Sequence, residues 1–147
     1  MKKEFITYLA EIGITGPLLN KAQETYNYYA EYLKVEIEDI FVSEYINPDG
    51  SRTYEGLWFF NENYCFEAKQ FIVSEDYDMD FYKDVIFSFN IVKKDFDIIN
   101  LSFNDNSRMT VTFYLNTVRA GIIKASKNNC KKLSEINTKY IITNLKK

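Results

Sequence analysis

The chain of 147 residues is 46% hydrophobic and carries a formal net charge of −3. This length favours one domain, residues 1–147, and the composition excludes the disordered class, which combines low hydrophobicity with high charge. Histidine is absent, which excludes the Ser-His and Cys-His pairs that many nucleophilic enzymes use.

The first part of the chain predicts two helices that form a hairpin over residues 1–34. Residues 2–12 repeat apolar side chains at helical spacing, and Gly13 is suited to the left-handed residue that ends a helix. A second helix is predicted from Pro17, which suits a first helical turn, to Lys34. Its tyrosines widen the apolar stripe, so we expect it to pack against the rest of the domain.

The spacing of the apolar residues then changes to two, which is typical of strands. Seven segments rich in β-branched and aromatic residues predict strands: residues 36–46, 53–60, 64–72, 84–93, 96–103, 109–115 and 118–125. The short connections between most of them contain turn-forming residues, as in NPDGS, NEN, KKD and NDNS. Short connections favour sequential antiparallel pairing, so residues 36–125 are predicted to form an antiparallel meander.

Residues 127–142 return to helical spacing, with lysines on the side away from the apolar edge. Residues 118–147 carry eight basic side chains and one glutamate, a net charge of +7, which leaves −10 on residues 1–117. Such asymmetry indicates a polarised surface. Lysines on a terminal helix also keep it solvated and complement its dipole, and the sequence favours that interpretation over a specific anionic ligand.

This order of elements resembles that of the pleckstrin-homology superfold, in which seven antiparallel strands precede one amphipathic helix. The stretch YKDVIFSFNIVKKDFDIINLSFNDNSRMTVTFYL resembles the second half of small bacterial pleckstrin-homology-like and GRAM-type domains. The resemblance covers roughly residues 36–142 and is one of element order. It implies an α+β fold: an N-terminal helical hairpin, then a seven-stranded antiparallel split barrel with a C-terminal amphipathic helix.

Lipid binding does not follow from this resemblance, since a fold does not fix a function. Phosphoinositide-binding members place several basic residues around the first hairpin loop. Here that loop offers only Arg52, beside Asp49 and Glu55.

Aromatic residues on both faces of the second predicted strand are the candidate anchors for a partner: Tyr54, Trp58 and Phe59. If they are exposed, they form a patch typical of protein interaction sites. The tyrosine row of the second helix favours the alternative, that these rings lie beneath the helical hairpin. Lys127 and Lys131 of the terminal helix are the candidate contacts for an anionic group.

The sequence predicts no metal, no cofactor and no catalytic residue. Asp76, Asp78 and Asp80 have the spacing of the first three ligands of a calcium loop, but phenylalanines occupy the positions that require Gly and Glu. No Gly-rich phosphate-binding pattern is present.

We therefore expect a non-catalytic module that binds another protein in the cytoplasm, such as an immunity protein or a phage- or mobile-element-encoded inhibitor. Abundant Lys, Asn and Ile indicate AT-rich coding, hence a low-GC bacterial or phage source. Two alternatives stay open: peripheral binding to anionic membrane or phosphoinositide through the terminal helix, and a small molecule in a pocket of the barrel. Nucleic acid is disfavoured, because the body is acidic and the terminal helix offers only Tyr140 for stacking.

Overall fold

A computed structural model of the chain describes residues 1–34, 36–62, 64–69, 88–93, 98–103, 109–115, 118–126 and 129–144. Asp76, Asp78 and Asp80 lie outside these residues. The helices and strands, in chain order, are α1 (Lys3–Glu11), α2 (Gly16–Leu33), β1 (Asp39–Ile46), β2 (Arg52–Phe60), β3 (Tyr64–Lys69), β4 (Ser88–Lys93), β5 (Ile98–Phe103), β6 (Met109–Leu115), β7 (Val118–Ala125) and α3 (Cys130–Ile136).

The α+β class agrees with the sequence, but the prediction of a seven-stranded pleckstrin-homology-like split barrel is wrong. The described strands form two separate antiparallel sheets, in the orders β1-β2-β3-β4 and β5-β6-β7, and they do not close a barrel.

β1 and β7 approach each other, but the contacts between them use side chains. The Lys124 backbone N–H donates to Ser43 Oγ at 2.9 Å, and Ser126 Oγ donates to Glu44 Oε1 at 2.5 Å. An irregularity between Ser43 and Glu44 shifts the register of β1 at the same point. A bulge of this kind bends its strand locally.

The end of α1 is fixed against β2 by a glycine turn. Gly13 has φ +92°, a left-handed conformation that glycine adopts without steric cost. The Ile12 carbonyl, at the negative end of the helix, accepts hydrogen bonds from Arg52 Nη1 and from Tyr54 Oη. A Cβ on Gly13 would lie 3.1 Å from each of those two donor atoms, so this close approach depends on glycine.

The core lies on both faces of β2, in one cluster of buried residues that joins the helices to the sheets. Phe59 faces α2, with its ring centroid 4.9 Å from that of Tyr29 and 6.0 Å from that of Tyr26. Trp58 packs against the second sheet, with its ring centroid 5.7 Å from that of Phe113 in β6. Covering both faces removes the need for polar residues at alternate positions, which explains the aromatic run in β2.

The terminal helix predicted over residues 127–142 is not uniform. α3 is followed by a π-helical segment, Asn137–Ile141, and a short 3-10 segment, Ile142–Asn144. Residues 127 and 128 lie outside the described part of the chain. The π-helical segment buries Tyr140, whose ring stacks on Phe60 at a centroid distance of 5.5 Å.

Candidate functional site: the cleft between α1 and α3

The structure buries all three aromatic side chains that the sequence singled out as anchors. Trp58 and Phe59 have no exposed surface, and Tyr54 is 1% exposed. The interpretation that such rings lie beneath the helical hairpin is confirmed for Phe59, which packs on Tyr26 and Tyr29 of α2. These side chains hold the elements together and offer no surface to a partner.

The structure describes one of the two candidate lysines. Lys131 is exposed on α3, at the rim of a cleft between α3 and α1. Lys127 lies outside the described residues. Of the predicted site residues that the structure describes, Lys131 is the one that reaches the surface.

The cleft beside Lys131 has a volume of about 760 Å³, within the range of about 300–1,000 Å³ that is usual for binding sites. Its composition is unlike that of most small-molecule sites, which are lined chiefly by apolar side chains. Three lysines, three glutamates and three other polar side chains line it beside a single isoleucine: Lys3, Glu4, Thr7, Tyr8, Glu11, Ile12, Asn129, Lys131, Lys132 and Glu135. Such a lining suits a polar, charged partner.

The floor of the cleft is a set of buried hydrogen bonds between α1, β1 and the residue before α3. The Tyr8 hydroxyl accepts the Val42 backbone N–H at 3.0 Å and donates to Asn129 Oδ1 at 3.1 Å. Asn129 Nδ2 in turn donates to the Val42 carbonyl at 3.1 Å. The two side chains therefore satisfy both polar groups of Val42, as a neighbouring strand would. This arrangement holds the two walls at a fixed separation.

The Tyr8 hydroxyl itself is not a reactive group. Burial raises the pKa of Tyr8 far above its ordinary value of 10.0, so the phenol stays protonated at physiological pH. Its role in the cleft is structural.

The walls of the cleft carry charged side chains with few partners. Lys132 Nζ lies 2.7 Å from Asp39 Oδ1 and 5.4 Å from the centroid of the Tyr8 ring. The other charged lining residues form no ion pair with any residue that the structure describes: Lys3, Glu4, Glu11, Lys131 and Glu135. All five are exposed and available to a ligand.

A partly buried ion pair joins the end of α1 to the strands beneath it. Arg52 Nε lies 3.2 Å from Glu44 Oε2, while Arg52 Nη1 donates to the Ile12 carbonyl at the end of α1. Burial raises the pKa of the Glu44 carboxyl above its ordinary value of 4.5, against the opposing effects of the Ser126 hydrogen bond and the Arg52 charge. The pair links α1 to both β1 and β2.

Sequence reasoning missed the α1 wall. Lys3, Thr7 and Glu11 recur at intervals of four, which places them on one side of the helix. The sequence KEFITYLAE contains this polar row, which lies beside the apolar face that predicted the helix. No pattern in the sequence indicated a role for Asn129, because its hydrogen-bond partners Tyr8 and Val42 are distant along the chain.

Within the described residues, no group of three or more His, Cys, Asp or Glu side chains is placed to hold a metal ion. The helices of that part of the chain include none long and apolar enough to cross a membrane.

The chain matches no protein-family model, no curated protein and no solved structure. The family resemblance drawn from element order is therefore neither supported nor opposed by a relative.

Proposed function

We propose that the protein is a non-catalytic interaction module that binds another protein at the cleft between α1 and α3. One observation carries this proposal: five charged side chains line a concave surface and form no ion pair with the described residues. Charged side chains arranged on a rigid floor give an interface its specificity and its rate of association. A cytoplasmic role, such as that of an immunity protein or a mobile-element inhibitor, belongs to the same proposal.

The charge balance of the cleft favours a protein partner over an anionic membrane. Three glutamates share the cleft with three lysines, and an anionic lipid surface would be repelled by the former as it is attracted by the latter. One of these three lysines, Lys132, is already paired with Asp39 at 2.7 Å, and Lys124, elsewhere in the basic C-terminal region, is paired with Glu55 at 3.4 Å. Less positive charge is left for phosphate groups than the sequence suggests.

Site-specific photo-crosslinking in cells of the source organism tests this function. A photoreactive residue in place of the exposed Thr7, inside the cleft, should give a discrete adduct with another protein. The same residue at the exposed Asn27, on α2 and outside the cleft lining, is the matched control and should not give that adduct. Adding Lys131→Glu to the Thr7 probe should reduce the yield. An adduct pattern that is identical at the two positions, or no adduct at Thr7, would contradict the proposal.

A further inference from the structure

Glu44 of β1 is the one acidic residue that is buried in the described part of the chain, and it is connected to the α1 wall of the cleft. Its Oε2 atom lies 3.2 Å from Arg52 Nε. Arg52 Nη1 donates to the carbonyl of Ile12, which lies at the end of α1 and lines the cleft. One guanidinium therefore joins the buried carboxylate to the end of this wall.

The same carboxylate is connected to the α3 wall. Glu44 Oε1 accepts a hydrogen bond from Ser126 Oγ at 2.5 Å, and the Ser126 carbonyl accepts the Asn129 backbone N–H at 2.9 Å. The Asn129 side chain also stabilises the charged form of Glu44 through a hydrogen bond. Asn129 lines the cleft and immediately precedes α3. A single titratable group thus contacts the supports of both walls.

Glu44 is the member of this cluster that changes charge in mildly acidic solution. Arg52 from β2, Tyr8 from α1 and Cys130 from α3 are the ionisable groups that face it in the described part of the chain, while the end of β7 contributes the neutral Ser126. Burial raises the pKa of Tyr8 and of Cys130, so both stay neutral there. Burial also raises the pKa of Glu44 above 4.5, towards neutral pH.

We propose that protonation of Glu44 is a pH-dependent switch that loosens both walls of the cleft. In the charged state, Arg52 is held between the carboxylate and the Ile12 carbonyl, and the hydrogen bonds towards the α3 wall are at their strongest. A neutral carboxyl no longer attracts the guanidinium, so Arg52 turns towards solvent and the end of α1 shifts. The Tyr54 hydroxyl still donates to the Ile12 carbonyl at 2.9 Å, so α1 stays docked.

The switch makes the protein-binding function proposed above, on which this part of the inference rests, dependent on pH. The partner binds the held cleft more tightly, so its affinity rises as the pH rises above 4.5 and Glu44 loses its proton. Linkage is reciprocal, and the bound partner in turn weakens proton binding at Glu44. The movement of the walls themselves needs no partner.

An NMR titration of the full chain between pH 4 and 8 tests the switch in the absence of a partner. The Gly13 amide shares its peptide group with the Ile12 carbonyl and reports on the α1 wall, while the side-chain amide of Asn129 reports on the α3 wall. In the wild type, both signals should shift with one common midpoint above 4.5. Glu44→Gln is nearly isosteric and permanently neutral, so it should remove both of these shifts.

The matched control is Glu11→Gln, which removes the exposed carboxylate nearest to Gly13 in sequence and leaves the buried one in place. The common midpoint should persist in this variant. Persistence of the midpoint in Glu44→Gln would overturn the inference. The wild-type titration is decisive by itself as well, since separate midpoints at the two walls, or no midpoint above 4.5, reject a shared switch.

Photo-crosslinking then connects the switch to the partner. Glu44→Gln imitates the protonated state and should reduce the yield of the Thr7 adduct, and an unchanged yield rejects the coupling to binding. A Thr7 adduct without a common midpoint means that the function stands and the switch is rejected. A common midpoint without any adduct supports the switch and removes the protein-binding function.

Discussion

Glu44 is an acidic residue of β1 that is only 1% exposed. Burial raises its pKa above 4.5 even though Ser126, Arg52 and Asn129 all stabilise the charged form. Between 4.5 and the raised pKa, the folded chain therefore binds more protons at this site than the unfolded chain does. The contribution of Glu44 to the free energy of unfolding therefore falls as the pH rises through that window, and it is restored as the pH falls to 4.5.

Glu44→Gln should remove this titration. The unfolding free energy of the variant, relative to that of the wild type, should increase as the pH rises above 4.5, by about 1.4 kcal/mol for each unit by which folding raises the pKa. Urea denaturation between pH 4 and 8 measures both curves.

The control for the Glu44 experiment is Glu135→Gln, which deletes one exposed negative charge outside the buried network. Its curve should keep the pH dependence of the wild type. Parallel curves for Glu44→Gln and wild type across the whole range would show that the buried carboxylate is not the group responsible.

Gly121 of β7 is required by the packing between the sheets. A Cβ at this position would lie 2.5 Å from Phe113 Cζ and 2.8 Å from the Trp58 ring. Gly121→Ala should lower the free energy of unfolding by about 1–3 kcal/mol, because overpacked rings have to leave their preferred positions. Urea denaturation monitored by circular dichroism measures this loss.

The matched control is Gly56→Ala in β2, where the added Cβ would come no closer than 3.2 Å, to the end of the Glu67 side chain. A flexible side chain can move away at little cost, so this variant should lose less stability than Gly121→Ala. The reverse ranking would contradict the packing argument.

At the scale of elements, the Tyr8 hydroxyl joins α1 to β1 and to the residue before α3. Tyr8→Phe removes the acceptor for the Val42 N–H and the donor to Asn129. Buried polar groups left without a partner cost about 1–3 kcal/mol each, so the variant should be destabilised by at least that amount. Hydrogen exchange should accelerate at the Val42 amide, since its N–H has lost the hydroxyl that accepts it.

Tyr26→Phe makes the same chemical change on α2, where the described residues give the Tyr26 hydroxyl no hydrogen bond. Its stability should stay within about 0.5 kcal/mol of wild type, with unchanged exchange at Val42. Equal losses for the two variants would mean that the Tyr8 hydrogen bonds do not hold α1 in place.

Local patterns were sufficient to predict several elements of this fold. The alternation in MTVTFYL predicted β6 with its observed limits, Met109–Leu115, because side chains on a strand change face at every residue. The sequence NTKYI after Ile136 could not predict a π-helical segment, since its wider turns depend on what the helix packs against.

Sequence patterns did not indicate the contacts between elements that are far apart along the chain. The prediction of a closed barrel was wrong because β1 contacts β7 through the side chains of Ser43 and Glu44. No periodicity in the sequence encodes a side-chain hydrogen bond between strands so far apart along the chain. The same limit applies to the site: Lys131 was recognised from its helix, whereas the opposing α1 wall is brought to it only by the tertiary fold.

At the scale of the whole molecule, the two sheets share one core although no backbone ladder joins them among the described strands. Trp58 is the single tryptophan of the chain and lies between the sheets, against Phe113 of β6 and Phe60 of β2. Its fluorescence therefore reports contact between the sheets, whereas far-ultraviolet circular dichroism reports the secondary structure of all elements.

Because the rings of both sheets fill one core, we expect the sheets to unfold together. Urea transitions followed by Trp58 fluorescence and by circular dichroism should coincide, as in a two-state domain. Phe113→Leu removes ring contacts from the second sheet and should move both transitions to lower urea by the same amount, for a loss of about 1 kcal/mol or more. If the sheets unfolded independently, Phe113→Leu would shift only part of the circular dichroism transition. The dichroism and fluorescence curves would then separate. If the fluorescence and dichroism transitions coincide in both the wild type and the variant, the two sheets are coupled as strongly as in a closed barrel. The side chains between β1 and β7 and the rings around Trp58 would then provide that coupling.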